Sequence, residues 1–477
     1  MAAILLTGGV LVGQPAQVID LQGRRELFVD DFFIDSLDHV DQVLHTPRDE
    51  GVVLEFDNPW EGRFSGYVTV IKAGYRYRLY YRGIPEAGKD GNDQEVTCYA
   101  ESMDGIHWVK PDLGIHTIDG TKENNVILAD AAPVTHNFCP FLDTRPDVPQ
   151  HLRYKALGGT SKSGLIGYVS GDGIHWQKYS ETPVFSDTGW VFDSQNVCFW
   201  SPAENAYVLY YRKSTERMRS IARATSPDFE RWSDPVPMRY SDTQSTVPSH
   251  QLYTNQTHPY FRAPHIYISI AARFMKGRKV LTEAQAQKVG VHPKYFNDTS
   301  DAIFMSTRGG KTYDRTFLQA LIRPGIGLQN WVSRSNYPAL NVVPTGEHEM
   351  SIYVNQDYAQ PSAHLRRYSL RLDGFCSLRA NIPGGKIITK PFIFSGDHLT
   401  LNFATSAAGG IKVEIQDING DPIPGYSLEL CDELIGNEIA RTVTWQDKGD
   451  LTGLAGQPVR LVFVLEDADL YALQFGK

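Results

Sequence analysis

The chain has 477 residues, 42% of them hydrophobic and 11% aromatic, with 46 Lys and Arg against 55 Asp and Glu and a formal net charge of −9. That length exceeds one ordinary domain and suits a large repeat fold with an appendage, while the plentiful Tyr, Phe, Trp, Gly and Pro favour strands and turns over helices. No concentrated basic run is present, which excludes a nucleic-acid partner; an anionic polymer is disfavoured on the same ground unless a local basic pocket overrides the average.

Residues 1–17 are apolar and rich in small residues. They read either as a short signal peptide without its basic start, which would place the protein outside the cytoplasm (secreted or periplasmic), or as an irregular arm. The arm or signal remnant is assigned to residues 1–25. Glu26-Leu27-Phe28-Val29-Asp30-Asp31-Phe32-Phe33-Ile34 follows as a strand interrupted by paired acids. Strand alternation sends Asp30 and Asp31 to opposite sides, so only one of them can enter a pocket. The other reading is a strand that closes the next domain at its edge.

From there a short signature recurs. Asp104-Gly105-Ile106-His107-Trp108 returns as Asp172-Gly173-Ile174-His175-Trp176, and more weakly as Asp228-Phe229-Glu230-Arg231-Trp232; a serine precedes each (Ser102, Ser170, Ser226). Two fainter copies start at Ser306 and Ser369. Asp-Gly makes a tight turn because Gly takes positive φ without a Cβ clash, and the Trp supplies an apolar plate to bury. Self-similarity of this period marks a repeat architecture. The expected fold is all-β: a five-bladed propeller over residues 26–380, then a β-sandwich over 386–477.

Within the blades, Tyr77-Arg78-Leu79-Tyr80-Tyr81-Arg82, Tyr207-Val208-Leu209-Tyr210-Tyr211-Arg212 and His265-Ile266-Tyr267-Ile268-Ser269-Ile270 read as second strands packed on both faces. Glu283 to Val289 is the one expected helix, inserted in blade four. Beyond residue 386, segments such as Leu399-Thr400-Leu401-Asn402-Phe403 and Val459 to Val464 alternate as half-buried strands. Cys98, Cys139, Cys198, Cys376 and Cys431 are scattered and odd in number, which predicts buried thiols rather than a disulfide framework or a zinc site.

The innermost strands of a propeller surround its axis, and their first residues line the mouth. Aligning those strands on Cys139, Cys198 and Ser351 makes Asn137, Asn196 and Glu349 equivalent, with Tyr67 and Asn255 near the same level. Gln195, His136, Glu347 and Arg334 flank this ring as binding candidates. Glycoside cleavage needs a carboxylic acid and a second carboxylate. Glu349 is the leading acid, and Asp193, Asp30 or Asp31 the nucleophile or base. No metal-ligand spacing, GxSxG, P-loop or Rossmann fingerprint occurs, so neither a metal nor another cofactor is expected.

Tyr99-Ala100-Glu101-Ser102-Met103-Asp104-Gly105-Ile106-His107-Trp108, the opening Leu27-Phe28-Val29-Asp30-Asp31, and Val343-Pro344-Thr345-Gly346 leading into Glu349 together resemble bacterial proteins similar to glycoside hydrolase families 32 and 43. The resemblance covers nearly the whole chain and implies a secreted propeller hydrolase with a C-terminal sandwich, acting on a terminal sugar such as a furanoside. The family 32 nucleophile, Arg-Asp-Pro and Glu-Cys motifs do not occur here in that form. A non-catalytic glycan-binding propeller, and a polysaccharide lyase with Tyr67 or His136 as base beside a cation, remain as alternatives. In each case the partner is a carbohydrate.

Overall fold

The computed structural model describes residues 18–86, 88 and 90–476, so the signal-like segment 1–17 lies outside the described residues. The described residues divide into two compact units, one of residues 44–375 and one of residues 18–43 with 376–476.

The first unit is a five-bladed propeller of antiparallel sheets. Blade I runs Gly66–Ala73, Arg76–Gly83, Val96–Ser102 and Val126–Leu128 from the inside outward. Blades II and III begin at Cys139–Leu142 and Val197–Ser201, and blade IV at Gln251–Thr254 with Thr257–Tyr260. Blade V has a broken inner edge, Tyr337–Pro338 and Val343–Pro344, then Glu349–Gln356 and His364–Arg371. Its outer strand, Arg48–Glu55, comes from the start of the unit and pairs with His364–Arg371, closing the ring. The backbones of Val68, Val70 and Leu340 exchange hydrogen bonds of 2.8–3.0 Å across the seam between blades V and I.

The repeated signature sits after the third strand of its blade in every copy. Ser102 Oγ accepts the Gly105 N–H at 2.9 Å, and Asp104 Oδ1 accepts those of Ile106 and His107 at 2.8 and 2.9 Å. Ser170 and Asp172 repeat the pattern. In the third copy Arg231 replaces the histidine and donates to Asp228 Oδ2 at 2.6 Å, and Phe229 takes φ 73° where Gly105 and Gly173 have 76° and 80°. The Trp plates of the first two copies stand in equivalent places. Trp108 meets Tyr353 of blade V edge-on and Trp176 meets Tyr80 of blade I, each on the preceding blade. All three Trp residues are half-buried rather than central.

At the axis the five blades meet through amides. Gln195 Nε2 of blade III donates to Thr69 Oγ1 at 3.1 Å and Val68 O at 3.3 Å in blade I, and faces Cys139 Sγ of blade II at 3.8 Å. Gln256 Nε2 of blade IV donates to Gln195 Oε1 at 2.6 Å and to Pro338 O of blade V at 2.7 Å. This plug divides the channel into two mouths. Tyr67, His136, Asp193, Tyr253 and Arg334 precede the plug residues on their strands; Val70, Phe141, Phe199, Tyr260 and Val342 follow them and line an apolar recess of about 570 Å³.

The helix Glu283–Val289 forms where expected, with a Thr282–Gln285 capping box and Gly290 in the left-handed C-cap. Its Ala286 packs with Phe64, Phe296, Val332 and Tyr358. All five cysteines are buried thiols.

The second unit corrects the expected boundaries. Residues 26–43 belong to it and not to the propeller, and its C-terminal part begins at 376 rather than 386. Arg25–Leu27 pairs with Arg460–Gly476, Ile34–Asp38 with Gly385–Thr389, and Ile19–Gln22 runs parallel to Phe392–Phe394. The physical reason is the aromatic cluster: Phe28 and Phe33 are core members beside Phe392, Phe394 and Phe475, which binds this N-terminal segment to that sheet. Leu399, Leu401, Phe403, Ile411, Val413 and Ile415 are fully buried at alternate positions, as the sequence pattern requires.

Two outcomes follow. Gln195→Leu should destabilise the propeller by about 1–3 kcal/mol, because it strands the buried Gln256 donor and several acceptors; an unchanged urea midpoint would show that the amide plug does not hold the blades. Turn hydrogen bonds and the neighbouring His hold the Asp104 and Asp172 carboxyls well below their ordinary 3.8. Their contribution is therefore full above that value and is lost as pH falls below it. The melting-temperature gap between wild type and the Asp104→Asn, Asp172→Asn double variant should accordingly be widest near neutrality and shrink in acid.

Candidate active site

The polar mouth is a narrow pocket of about 20 Å³ lined by Gly66, Tyr67, Arg82, Asp90, His136, Tyr253, Arg334, Tyr337, Asn355 and Tyr358. Backbone kinks aim several of these side chains. Tyr67 and Arg334 have φ of 53° and 64°, and Phe192, just before Asp193, has 64°. A side chain at Gly66 would place its Cβ 3.1 Å from the Asn355 side-chain amide, so the two pack closely at the pocket wall.

Arg82 and Arg212 lie in the second strands of blades I and III at corresponding positions in two Tyr-Tyr-Arg triplets. Arg212 forms an ion pair with Asp193 and lies over the Tyr253 ring at 4.6 Å. Arg82 lies over the Tyr67 ring at 4.8 Å, donates to Phe64 O at 3.0 Å and stands 3.9 Å from Glu95. Glu95 Oε1 is 2.8 Å from His136 Nδ1. A carboxylate at that distance takes a proton donor, so Nδ1 of the imidazole donates to it and Nε2 faces the pocket. There Nε2 has no hydrogen-bond partner and stands 3.9 Å from Asp193 Oδ1.

An oxygen of Asp90, an oxygen of Asp193 and a ring nitrogen of His136 all lie within 4.8 Å of one another. Such a trio has the ligand types for a divalent cation. Arg212 on Asp193 and Arg82 beside His136, at 3.2 Å from Nδ1, already supply positive charge there, so the set is better suited to moving a proton. Burial and the neighbouring Tyr253 and Asp193 push the Tyr67 hydroxyl well above its ordinary value of 10, with Arg82 and Arg212 offsetting part of the rise. Tyr67 is therefore a hydrogen-bond donor at neutral pH. Tyr337 Oη, Arg82 Nε and Arg212 Nη1 are buried donors with no protein acceptor among the described residues, each costing about 1–3 kcal/mol while unmet.

Of the residues expected from sequence, Tyr67, His136, Asp193 and Arg334 meet in this pocket. The others do not. Glu349 opens the second strand of blade V, which runs back from the apolar mouth; its carboxylate accepts from Arg367 at 2.8 Å and Thr345 at 3.1 Å. Its alignment with Asn137 and Asn196 was one strand out of place. Glu347 is exposed in the turn before it. Asn137 is fully buried and donates to Gly159 O, Phe192 O and Ser194 O, stapling blades II and III. Asn196 donates to Phe192 O and Ser194 O, Asn255 accepts from Thr257 N at 3.0 Å, and Gln195 belongs to the axial plug. All four are buried, with backbone or plug groups as their hydrogen-bond partners, and Asn196 Oδ1 has no partner. Asp30 accepts from Phe32 N at 3.2 Å in a turn of the second unit, and Asp31 is exposed there.

Arg82, Arg212, Asp90, Glu95, Tyr253, Tyr337 and Tyr358 escaped the sequence reading. The repeated Tyr-Tyr-Arg triplet was a usable signal for the first two, since a charge that recurs within an apolar strand needs a partner. For Asp90 and Glu95, in a connecting loop, no periodic signal exists.

No protein-family model matches the chain, and no curated protein does. Among solved structures it is similar to one described as a glycoside hydrolase, at 12% identity and a TM-score of 0.44 over 68% of this chain and 92% of that one. It is similar to an N-acetylgalactosamine deacetylase from F. plautii in complex with blood group B trisaccharide, at 12% identity and a TM-score of 0.42 over 71% and 97%. A fructofuranosidase from Schwanniomyces occidentalis complexed with fructosylnystose is similar over 97% of this chain and 100% of that one, at 12% identity and a TM-score of 0.35.

Glu349→Gln should lower stability by about 1 kcal/mol through the lost Arg367 contact. A thermal melt checks this, and an unchanged melting temperature would show that the Arg367 contact is not structural.

Proposed function

We propose that the protein is a glycoside hydrolase that removes a terminal sugar in the polar mouth of the propeller. The observation that carries this is the pair of facing carboxylates, Asp90 and Asp193, with oxygens within 4.8 Å beside the open Nε2 of His136. Carboxyl groups about 5 Å apart belong to the double-displacement geometry, in which one attacks the anomeric carbon and the other serves as acid and then base; inverting pairs stand wider to admit a water.

Asp193 is the nucleophile in this reading. Its ion pair with Arg212, itself packed on Tyr253, fixes the carboxylate's orientation. Asp90 sits exposed at the rim, where a leaving group departs, and acts as acid and base. His136, oriented by Glu95, accepts a hydrogen bond from a sugar hydroxyl through Nε2, and Tyr67 donates one. The resemblance to families 32 and 43 agrees with a terminal sugar as substrate.

A second reading, a lyase, is favoured by one feature: His136 stands beside cationic Arg82, whose Nη1 is 3.2 Å from Nδ1, and its Nε2 has no hydrogen-bond partner. Tyr67 does not serve it as base, because its hydroxyl holds its proton.

Asp193→Asn should lower kcat on aryl glycosides by about a thousandfold or more, with binding retained, since the amide keeps the shape but cannot form the glycosyl ester. Asp90→Asn should slow substrates with poor leaving groups much more than activated aryl ones. Full activity of Asp193→Asn would sink the reading. Products carrying a new ultraviolet-absorbing double bond would establish the lyase instead, and tight binding without turnover by the wild type would establish a lectin.

A further inference from the structure

Arg334 is the guanidinium of the pocket whose charge no carboxylate answers. Arg212 has Asp193 and Arg82 has Glu95, but among the described residues Arg334 makes no ion pair, and its one hydrogen bond is a 3.4 Å donation to Tyr295 Oη. Three aromatic rings hold it, with its guanidinium carbon 5.0 Å from the centroid of Tyr295, 5.5 Å from Tyr253 and 6.0 Å from Tyr358. Those faces favour a cation, yet they displace the water that would otherwise solvate it. Its backbone adopts φ 64°, a conformation a non-glycine side chain seldom takes without being over-determined by its surroundings. A second observation points the same way. Of the buried polar atoms at this mouth without a hydrogen-bond partner, Arg82 Nε and Arg212 Nη1 can only donate, Tyr337 Oη can donate, and His136 Nε2 stands among them.

We infer that the sugar bound here carries an anionic substituent, a carboxylate or a sulfate ester, which Arg334 receives through its planar fork. This rests on the hydrolase reading for the fate of the sugar, but not for its binding. A guanidinium matches either oxyanion in a bidentate way, which a lysine ammonium does not. The overall negative charge of the chain does not oppose this, because the positive charge is local and walled by tyrosines.

The test uses the intact protein with para-nitrophenyl glucuronides and galacturonides, the matching hexosides in which a hydroxymethyl replaces the carboxylate, and hexosides bearing a sulfate ester. Calorimetric binding and turnover are both read. At least one anionic sugar should bind more tightly than its neutral counterpart by about ten- to a hundredfold, weaken as salt is raised, and lose that advantage in Arg334→Gln. Arg334→Lys should restore only part of it. Whether uronides or sulfated sugars carry the preference assigns the anion. Equal binding of neutral and charged sugars, no binding by either kind, or a preference that survives in a folded Arg334→Gln overturns the inference. With equal binding but cleavage of neutral sugars, the hydrolase reading stands. Arg334-dependent binding without cleavage does the reverse. Should Arg334→Gln not fold, the salt dependence of uronide and sulfate binding to the wild type decides, and a flat response overturns the proposal.

Discussion

Everything functional in this propeller depends on how its axis is closed. Five inner strands converge on a space where water is excluded and bulky apolar side chains cannot all fit. The chain fills it with two glutamine amides. Gln195 and Gln256 are essentially unexposed, and their partners lie on all five blades. A buried amide without partners is expensive, so this arrangement sets the height of each strand against its neighbours to within hydrogen-bond tolerance. Strand starts are then fixed at one level above the plug, which is why Tyr67, His136, Asp193, Tyr253 and Arg334, distant in sequence, come together at the mouth.

The plug also separates two chemistries. Below it the strands run on into Val70, Phe141, Phe199 and Val342, an apolar lining. Above it the walls are arginine and tyrosine. Each guanidinium of the mouth lies on an aromatic face: Arg82 on Tyr67, Arg212 on Tyr253, Arg334 on Tyr295. Such stacking positions charge without consuming its hydrogen-bond donors, so the donors stay available for a ligand. Glu95 does for His136 what Tyr253 does for Arg212: it holds the side chain and leaves the reactive edge free.

The fold was legible because its repeat is chemical. A serine, an aspartate and a residue free to take positive φ build the same turn in blades I to III, whether the last is Gly105, Gly173 or a strained Phe229. The fifth blade misled the alignment for a definite reason. Pro338 and Pro344 break its inner strand into two-residue pieces, so the first continuous run there is the second strand. Ser351 on that strand resembles Cys139 and Cys198 in size, and Glu349 was carried inward with it. The N-terminal acids misled differently. Edge closure by an early strand was a correct idea, but Arg48–Glu55 performs it, while Phe28 and Phe33 take Asp30 and Asp31 into the other unit. Asp90 and Glu95 lie in a loop, where no period constrains the reading.

Backbone strain contributes to the polar mouth. Tyr67, Phe192, Gln256 and Arg334 all have positive φ, on four different blades, at the level of the plug or just above it. Each such residue costs about 1–3 kcal/mol relative to relaxed backbone. Glycine would remove that cost at any of them, yet it would also remove a wall, a plug amide or a guanidinium. Strand alternation alone would send successive side chains to opposite faces of the blade. A left-handed residue breaks the alternation, so that Tyr67 follows Gly66 around the rim and Asp193 turns toward Arg212. The cost is tolerable because the surroundings over-determine these positions, with the seam of blades V and I on one side and the amide plug beneath. The same hydrogen bonds that close the axis therefore hold the kinks that make the pocket.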